Sequence, residues 1–228
     1  MEMSKRQELK FLISNYEFLS LQKKLDKILK RDEHSIDDFY RISSLYFDDI
    51  FNTAYHDKID GYEHRSKFRI RYYDNNKNFF KLEKKMKFEN ITHKESIILS
   101  KLEVEEILHN KYDVIEQRPE EIIKELLFKL KGGLFKPKVI VEYFRLAYTY
   151  PVGNTRITFD KYVKGTFNKP NLFASNNLFY ETIDSNFVVM EVKFNGQIPL
   201  FIKGLIQMSN VSQESVSKYV LSRKESQI

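Results

Sequence analysis

Six stretches of the chain place charge on every second residue. Residues 67–72 read Lys67-Phe68-Arg69-Ile70-Arg71-Tyr72, residues 80–85 read Phe80-Lys81-Leu82-Glu83-Lys84-Lys85, and Arg6, Glu8 and Lys10 alternate with Gln7, Leu9 and Phe11. The pattern returns where Tyr143 and Arg145 share a face, where Arg156, Thr158 and Asp160 oppose Ile157 and Phe159, and where Glu191 and Lys193 alternate with Met190, Val192 and Phe194. Successive side chains of a strand point to opposite faces, so each stretch predicts one apolar and one charged face. The charged faces carry ten cations, Arg6, Lys10, Lys67, Arg69, Arg71, Lys81, Lys85, Arg145, Arg156 and Lys193, against four acids, Glu8, Glu83, Asp160 and Glu191. Arg forks grip phosphate oxygens in pairs and Lys supplies point charge, so Arg69, Arg71, Arg145 and Arg156 are candidate phosphate clamps, with Lys10, Lys85 and Lys193 beside them. Acids amid so many cations suit a divalent ion, because Mg²⁺ or Mn²⁺ takes one or two carboxylates together with phosphate oxygens. Glu191, Glu8 and Glu83 are the candidate metal ligands, and Lys193 is spaced to hold Glu191 in place. Each Glu equally fits the alternative of a salt-bridge partner for an adjacent Arg, and the alternation equally describes a half-solvated antiparallel sheet.

The segments around these strands must position them. Ser14-Asn15-Tyr16-Glu17 is a capping box ahead of Phe18, Leu21, Leu25 and Ile28 at helical spacing, and Ser100-Lys101-Leu102-Glu103 repeats it ahead of Val104, Ile107 and Leu108. A third helix is expected from Pro119 through Ile122, Ile123, Leu126, Leu127 and Leu130 to a stop at Gly132-Gly133, with short helices from Pro199 to Gln207 and from Ser212 to about Leu221. Asp74-Asn75-Asn76 predicts a hairpin turn, and the stretch from Thr166 to Ser185 a surface excursion docked by Phe173 and Phe179. The expected architecture is α+β, one domain over residues 1–228. It is a closed antiparallel β-barrel with its charged faces turned inward as a tunnel and amphipathic helices packed outside.

With 228 residues, 42% hydrophobic, the chain can bury a sizeable core, which excludes a disordered or fibrous protein. Its net charge of +6 is modest, and the strand-face cations account for all of it. That distribution argues for a confined polyanion and against a broad nucleic-acid or membrane face; aromatics lie opposite the cations, whereas single-strand binders mix the two. The absence of cysteine removes disulfides, thiol nucleophiles and Cys-based metal sites. No P-loop or Gly-x-Gly-x-x-Gly is present, and none of the five histidines stands in metal-ligand spacing with another. No apolar run approaches about 18 residues and the first residues lack an apolar signal region, so a cytoplasmic protein without a transmembrane segment is expected.

Several motifs, taken in order, resemble one family. They are Glu8-x-Lys10, Ser44-Leu45-Tyr46-Phe47-Asp48 with Tyr55 and Lys58, Arg65-x-Lys67-x-Arg69-x-Arg71-Tyr72 and Leu82-Glu83-x-Lys85. Val141-Glu142-Tyr143-x-Arg145-x-Ala147-Tyr148, Arg156-Ile157-Thr158-Phe159-Asp160, Glu191-Val192-Lys193-Phe194 and Ser217-Lys218-Tyr219 follow. Together they are similar to the VTC domain, the catalytic domain of the vacuolar transporter chaperone polyphosphate polymerase, among the CYTH-like triphosphate tunnel metalloenzymes. The resemblance implies transfer of the ATP γ-phosphate to a growing polyphosphate chain with Mn²⁺ or Mg²⁺. It implies a phosphate-binding set of Lys10, Arg69, Arg71, Lys85, Lys94, Tyr143, Arg145, Arg156 and Lys218, with Glu191 on the metal. CYTH hydrolases carry Glu-x-Glu-x-Lys on the first strand, and Arg6 stands here at the first Glu position, which favours transfer or binding over hydrolysis. A triphosphatase and a noncatalytic polyanion-binding module stay open beside the polymerase. Any link to a membrane would run through a partner protein.

Overall fold

The structure, a computed structural model, describes residues 6–35, 39–73, 76–89, 91–167, 170–174, 176–207, 213 and 215–224. Asp74 and Asn75 of the expected turn, Asn168, and Ser212 at the expected start of the last helix lie outside them. The strands are β1 (Arg6–Ser14), β2 (Lys30–Arg31), β3 (Tyr40–Asp49), β4 (Arg65–Tyr73), β5 (Asn76–Phe88), β6 (Ile91–Leu99), β7 (Phe135–Tyr150), β8 (Thr155–Thr166), β9 (Phe179–Glu181) and β10 (Phe187–Asn195). The helices are α1 (Asn15–Ile28), α2 (Thr53–Ile59), α3 (Lys101–Leu108), α4 (Asp113–Glu116), α5 (Glu121–Lys131), α6 (Leu200–Gln207) and α7 (Lys218–Lys224). The chain divides into two compact units.

One unit comprises Met1–Arg41, Tyr143–Val163 and Ile183–Ser217. In it β1 pairs antiparallel with β10 and β10 with β8, while β2 pairs with the end of β7. Helix α1 starts where expected: Ser14 Oγ accepts from the Glu17 amide at 3.2 Å and the Ser14 amide donates to Glu17 Oε2 at 2.8 Å. Its Phe18, Leu21 and Leu25 close a core with Phe11, Ile13, Phe159 and Val192. Ile28, assigned to that apolar face by spacing, is instead 55% exposed, because the helix ends there and the chain turns away at Leu29.

The other unit comprises Ile42–Glu142, Lys164–Thr182 and Lys218–Ile228. Strands β3, β4, β5 and β6 form an antiparallel meander. Leu45, Phe68, Ile70, Phe80 and Leu82 pack with α3 and with Ile122, Ile123, Leu126, Leu127 and Leu130 of α5; Phe173 and Phe179 dock on the same core. Helix α3 carries the second capping box, Ser100 with Glu103. Helix α5 begins at Glu121, two residues later than expected, because Arg118 holds Glu120 at 2.6 Å while Glu120 is still extended. Lys84 lies on the core side of β5, over the Phe68 ring and paired with Glu125 of α5.

Among the described residues the hydrogen-bonded strand path runs β1-β10-β8-β7-β3-β4-β5-β6, with β2 and β9 as side branches. It does not return from β6 to β1, so the expected closed barrel is corrected to an antiparallel sheet with helices. Period-two alternation says which face of each strand is charged. It is silent on whether the first and last strands share hydrogen bonds.

Candidate functional site

In the first unit the charged face of β1, β10 and β8 is a checkerboard. Lys10 stands opposite Glu191 and Glu8 opposite Lys193; on the far side Glu191 and Lys193 oppose Thr158 and Arg156. Opposite charges across a ladder stabilise it and like charges do not, so the acids are what make the Lys193–Arg156 juxtaposition tolerable. Lys193 Nζ lies 2.8 Å from Glu191 Oε1 and 3.8 Å from Glu8 Oε2, and Lys10 Nζ lies 2.9 Å from Glu8 Oε1. Arg145 forks Asp160 through Nε and Nη2 at 2.6 and 2.7 Å, approaches Glu191 at 4.0 Å, and lies over the Tyr143 ring at 5.2 Å. Arg156 Nη2 reaches Asp32 at 3.1 Å and donates to Tyr40 Oη at 3.3 Å. This unit therefore gathers Glu8, Lys10, Arg145, Glu191 and Lys193 through direct ion pairs, and keeps Tyr143 and Arg156 on neighbouring positions.

Burial works to raise the Glu191 carboxyl, but Lys193, Lys10 and Arg145 outweigh it and hold it well below the usual 4.5. Lys193 feels both sides: burial, with Arg145 beside it, pushes the ammonium below 10.5 even as Glu191 and Glu8 pull it up. Glu8 and Glu191 thus converge on one cation with hard oxygen donors. That donor set fits Mg²⁺ or Mn²⁺, which draws its other ligands from water and phosphate. Among the described residues no group of three or more His, Cys, Asp or Glu side chains is placed to hold a metal, so phosphate oxygens would have to complete the shell.

In the second unit the hub is Glu83, 2% exposed. Arg69 Nε donates to Glu83 Oε2 at 2.6 Å, Arg71 Nη1 lies 3.7 Å from the same oxygen, and Lys94 pairs with Oε1. Burial pushes this carboxyl up, yet Arg69, Arg71 and Lys94 hold it well below 4.5. The third candidate metal ligand is thereby engaged by three cations. Arg69 also donates to Tyr46 Oη at 2.8 Å and Arg71 Nε to Ser44 Oγ at 3.1 Å. Lys67 stands opposite Lys85 and Lys85 opposite Lys94, three ammonium side chains in a row across β4, β5 and β6. Such a row costs stability unless anions lie along it.

Lys218 opens α7, and its charge joins those of Arg69 and Arg71 in lowering the buried Tyr46 phenol below 10, against the effect of burial. The helix is anchored one residue on. Tyr219 Oη donates to Asp48 Oδ2 at 2.5 Å, its ring lies 5.0 Å from that of Tyr46, and Lys67 sits over it at 4.7 Å. Asp48 also accepts from the Ala54 and Tyr55 amides at the start of α2. Tyr46, Phe47 and Tyr55 are buried, while Tyr62 is exposed. Sequence reasoning overlooked Asp48, Tyr46 and Ser44 as a polar set. Their signal was the alternation Ser44-Leu45-Tyr46-Phe47-Asp48. Tyr219→Phe keeps the ring but leaves the buried Asp48 short of a donor; a hydrogen bond to a charged group contributes about 2 kcal/mol, so thermal unfolding should show a melting temperature lower by about 4–8 °C.

Antiparallel strands with helices packed on their apolar faces make a fold that solved proteins share. A candidate adenylate cyclase from Bacillus halodurans shares it with a TM-score of 0.56 at 16% identity, over 95% of this chain and 96% of that one. A second candidate adenylate cyclase, from Vibrio parahaemolyticus, gives 0.51 at 13% identity, over 97% and 99%. At such identities the likeness is one of fold. The chain belongs to the VTC domain family, which matches residues 5–226. No curated protein sequence matches it, and no described helix is long and apolar enough to cross a membrane.

Proposed function

We propose that this protein, acting as one catalytic domain, is a metal-dependent polyphosphate polymerase that moves the γ-phosphoryl group of ATP onto a polyphosphate chain. The observation that carries the reading is that a VTC domain chain builds, in each of its units, a sheet face of Arg and Lys organised around buried acids. A terminal oxygen of the chain attacks the γ-phosphorus as its bond to the β,γ-bridging oxygen breaks. ADP leaves with the electron pair and the chain is longer by one phosphoryl group. Little covalent work falls to the protein; positioning and charge neutralisation make the catalysis. Arg69, Arg71, Lys85, Lys94 and Lys218 in one unit, and Lys10, Tyr143, Arg145, Arg156 and Lys193 in the other, bind phosphate oxygens. Glu191 and Glu8 would hold Mg²⁺ or Mn²⁺, which would supply charge for the oxygens that become more negative in the transition state. With Arg6 where hydrolases of this fold carry a carboxylate, transfer is favoured over hydrolysis.

Incubation of the purified protein with ATP and Mn²⁺, followed by gel electrophoresis of the phosphate products, tests this. The expected outcome is a ladder of long chains with matching ADP. Orthophosphate alone would assign a triphosphatase. Polyphosphate binding without turnover would assign a binding module, and a cyclic nucleotide would assign the activity for which the structural neighbours are named.

A further inference from the structure

On β8, between two residues with evident partners, the structure holds one without. Thr158 is 4% exposed, and its hydroxyl is buried with no hydrogen-bonding partner among the described residues. It stands directly across from Glu191, on the strand face it shares with Arg156 and Asp160. The acids around it are already engaged, Asp160 by both arms of Arg145 and Glu191 by Lys193. Two residues away a second donor is in the same state: Arg156 Nε is buried and unbonded although its Nη2 reaches Asp32 and Tyr40. A lone unsatisfied hydroxyl could be filled by a buried water. Two unsatisfied donors on one strand face, among cations, call for an acceptor with several oxygens.

We propose that Thr158 is a binding residue of this face, donating its hydroxyl to a phosphate oxygen of the polyanion while Arg156 Nε donates to another. The inference rests on the reading of the face as a phosphate site and adds a neutral donor to its cations. A neutral donor grips an oxygen by direction and contributes little to the long-range attraction that salt screens. Thr158 should therefore govern affinity without changing how affinity falls with ionic strength.

The test is calorimetric titration of tripolyphosphate, with EDTA present and ionic strength varied, into wild type, Thr158→Val, Thr158→Ser and Thr158→Ala, alongside the melting temperature of each unliganded protein. Loss of a hydrogen bond to a charged oxygen predicts about tenfold weaker binding for Thr158→Val and Thr158→Ala, and near-wild-type binding for Thr158→Ser. The salt dependence should stay parallel to wild type, and unliganded Thr158→Val should melt no lower than wild type, since an unpaired hydroxyl has been replaced by a methyl group. Equal binding by Thr158→Val and wild type would overturn the role of Thr158 alone. A lower melting temperature of unliganded Thr158→Val, restored by Ser, would overturn it in favour of a structural water. Failure of wild type to bind tripolyphosphate would overturn the phosphate reading of the face, and the role of Thr158 with it.

Discussion

Glu83→Gln should unfold at a melting temperature about 6–12 °C below wild type, and tripolyphosphate should restore much of the difference. Gln keeps the shape of the side chain and can still accept from Arg69, but it removes the one negative charge shared by Arg69, Arg71 and Lys94. Breaking a buried ion pair by neutralising one partner costs about 3–5 kcal/mol. The lower end applies, because the Lys94 side chain is 47% exposed and that of Arg69 22%, so water screens part of the repulsion; about 3 kcal/mol corresponds to the stated shift for a chain of this size. The acid limb gives the sign. A carboxyl held below its usual 4.5 contributes stability that is complete above that value and is lost as pH falls toward the depressed native value. Wild type should lose stability faster than Glu83→Gln below about pH 4.5, and the two curves should converge. Denaturant unfolding at pH 7 and at pH 3 measures the gap; a constant gap would show that the charge of Glu83 is not what the cations need.

The strand faces were legible because period two is a local property. Glu191 and Lys193 fall on one side of β10 and Val192 on the other whatever lies beyond, and Ser14-x-x-Glu17 and Ser100-x-x-Glu103 specify caps within four residues. Strand β6 was not legible. Ile91, Lys94 and Ile98 are all exposed, so its nine residues carry no clean alternation and their strand state is set by pairing with β5. The hub around Glu83 was hidden for a related reason. Sequence places Arg69 and Glu83 on faces of two strands, but the β4–β5 register that sets them directly opposite, and the β5–β6 register that brings Lys94 within reach, come from contacts across the sheet. To a candidate metal ligand read from composition, geometry adds the organising of three cations. Arg156 gains partners in the same way: alternation puts it on the charged face, and only the fold brings Asp32 and Tyr40 to it.

Glu191→Gln should lower metal-dependent turnover at least about a hundredfold while leaving the fold and the anion affinity largely intact, the converse of the Glu83 variant. Glu191 and Glu83 are both buried acids among cations, but their neighbours differ in what they keep. When the Glu191 charge is removed, Arg145 retains both bonds to Asp160 and Lys193 retains Glu8. No cation is stranded, so the melting temperature should fall by only a few degrees, about 1 kcal/mol at a rate of about 2–4 °C per kcal/mol. Removing a negative charge from a face proposed to bind polyanions should leave tripolyphosphate affinity in EDTA unchanged or stronger, since the ligand meets less repulsion. What is lost is an anionic oxygen donor for a divalent ion, for which a neutral amide oxygen is a poor substitute. Turnover titrated with Mn²⁺, read beside the EDTA calorimetry, separates the two roles. A requirement for much higher Mn²⁺ with anion binding preserved places Glu191 on the metal. An unchanged rate at unchanged Mn²⁺ would remove it from the reaction, and loss of anion binding in EDTA would make it a scaffold for Lys193 and Arg145.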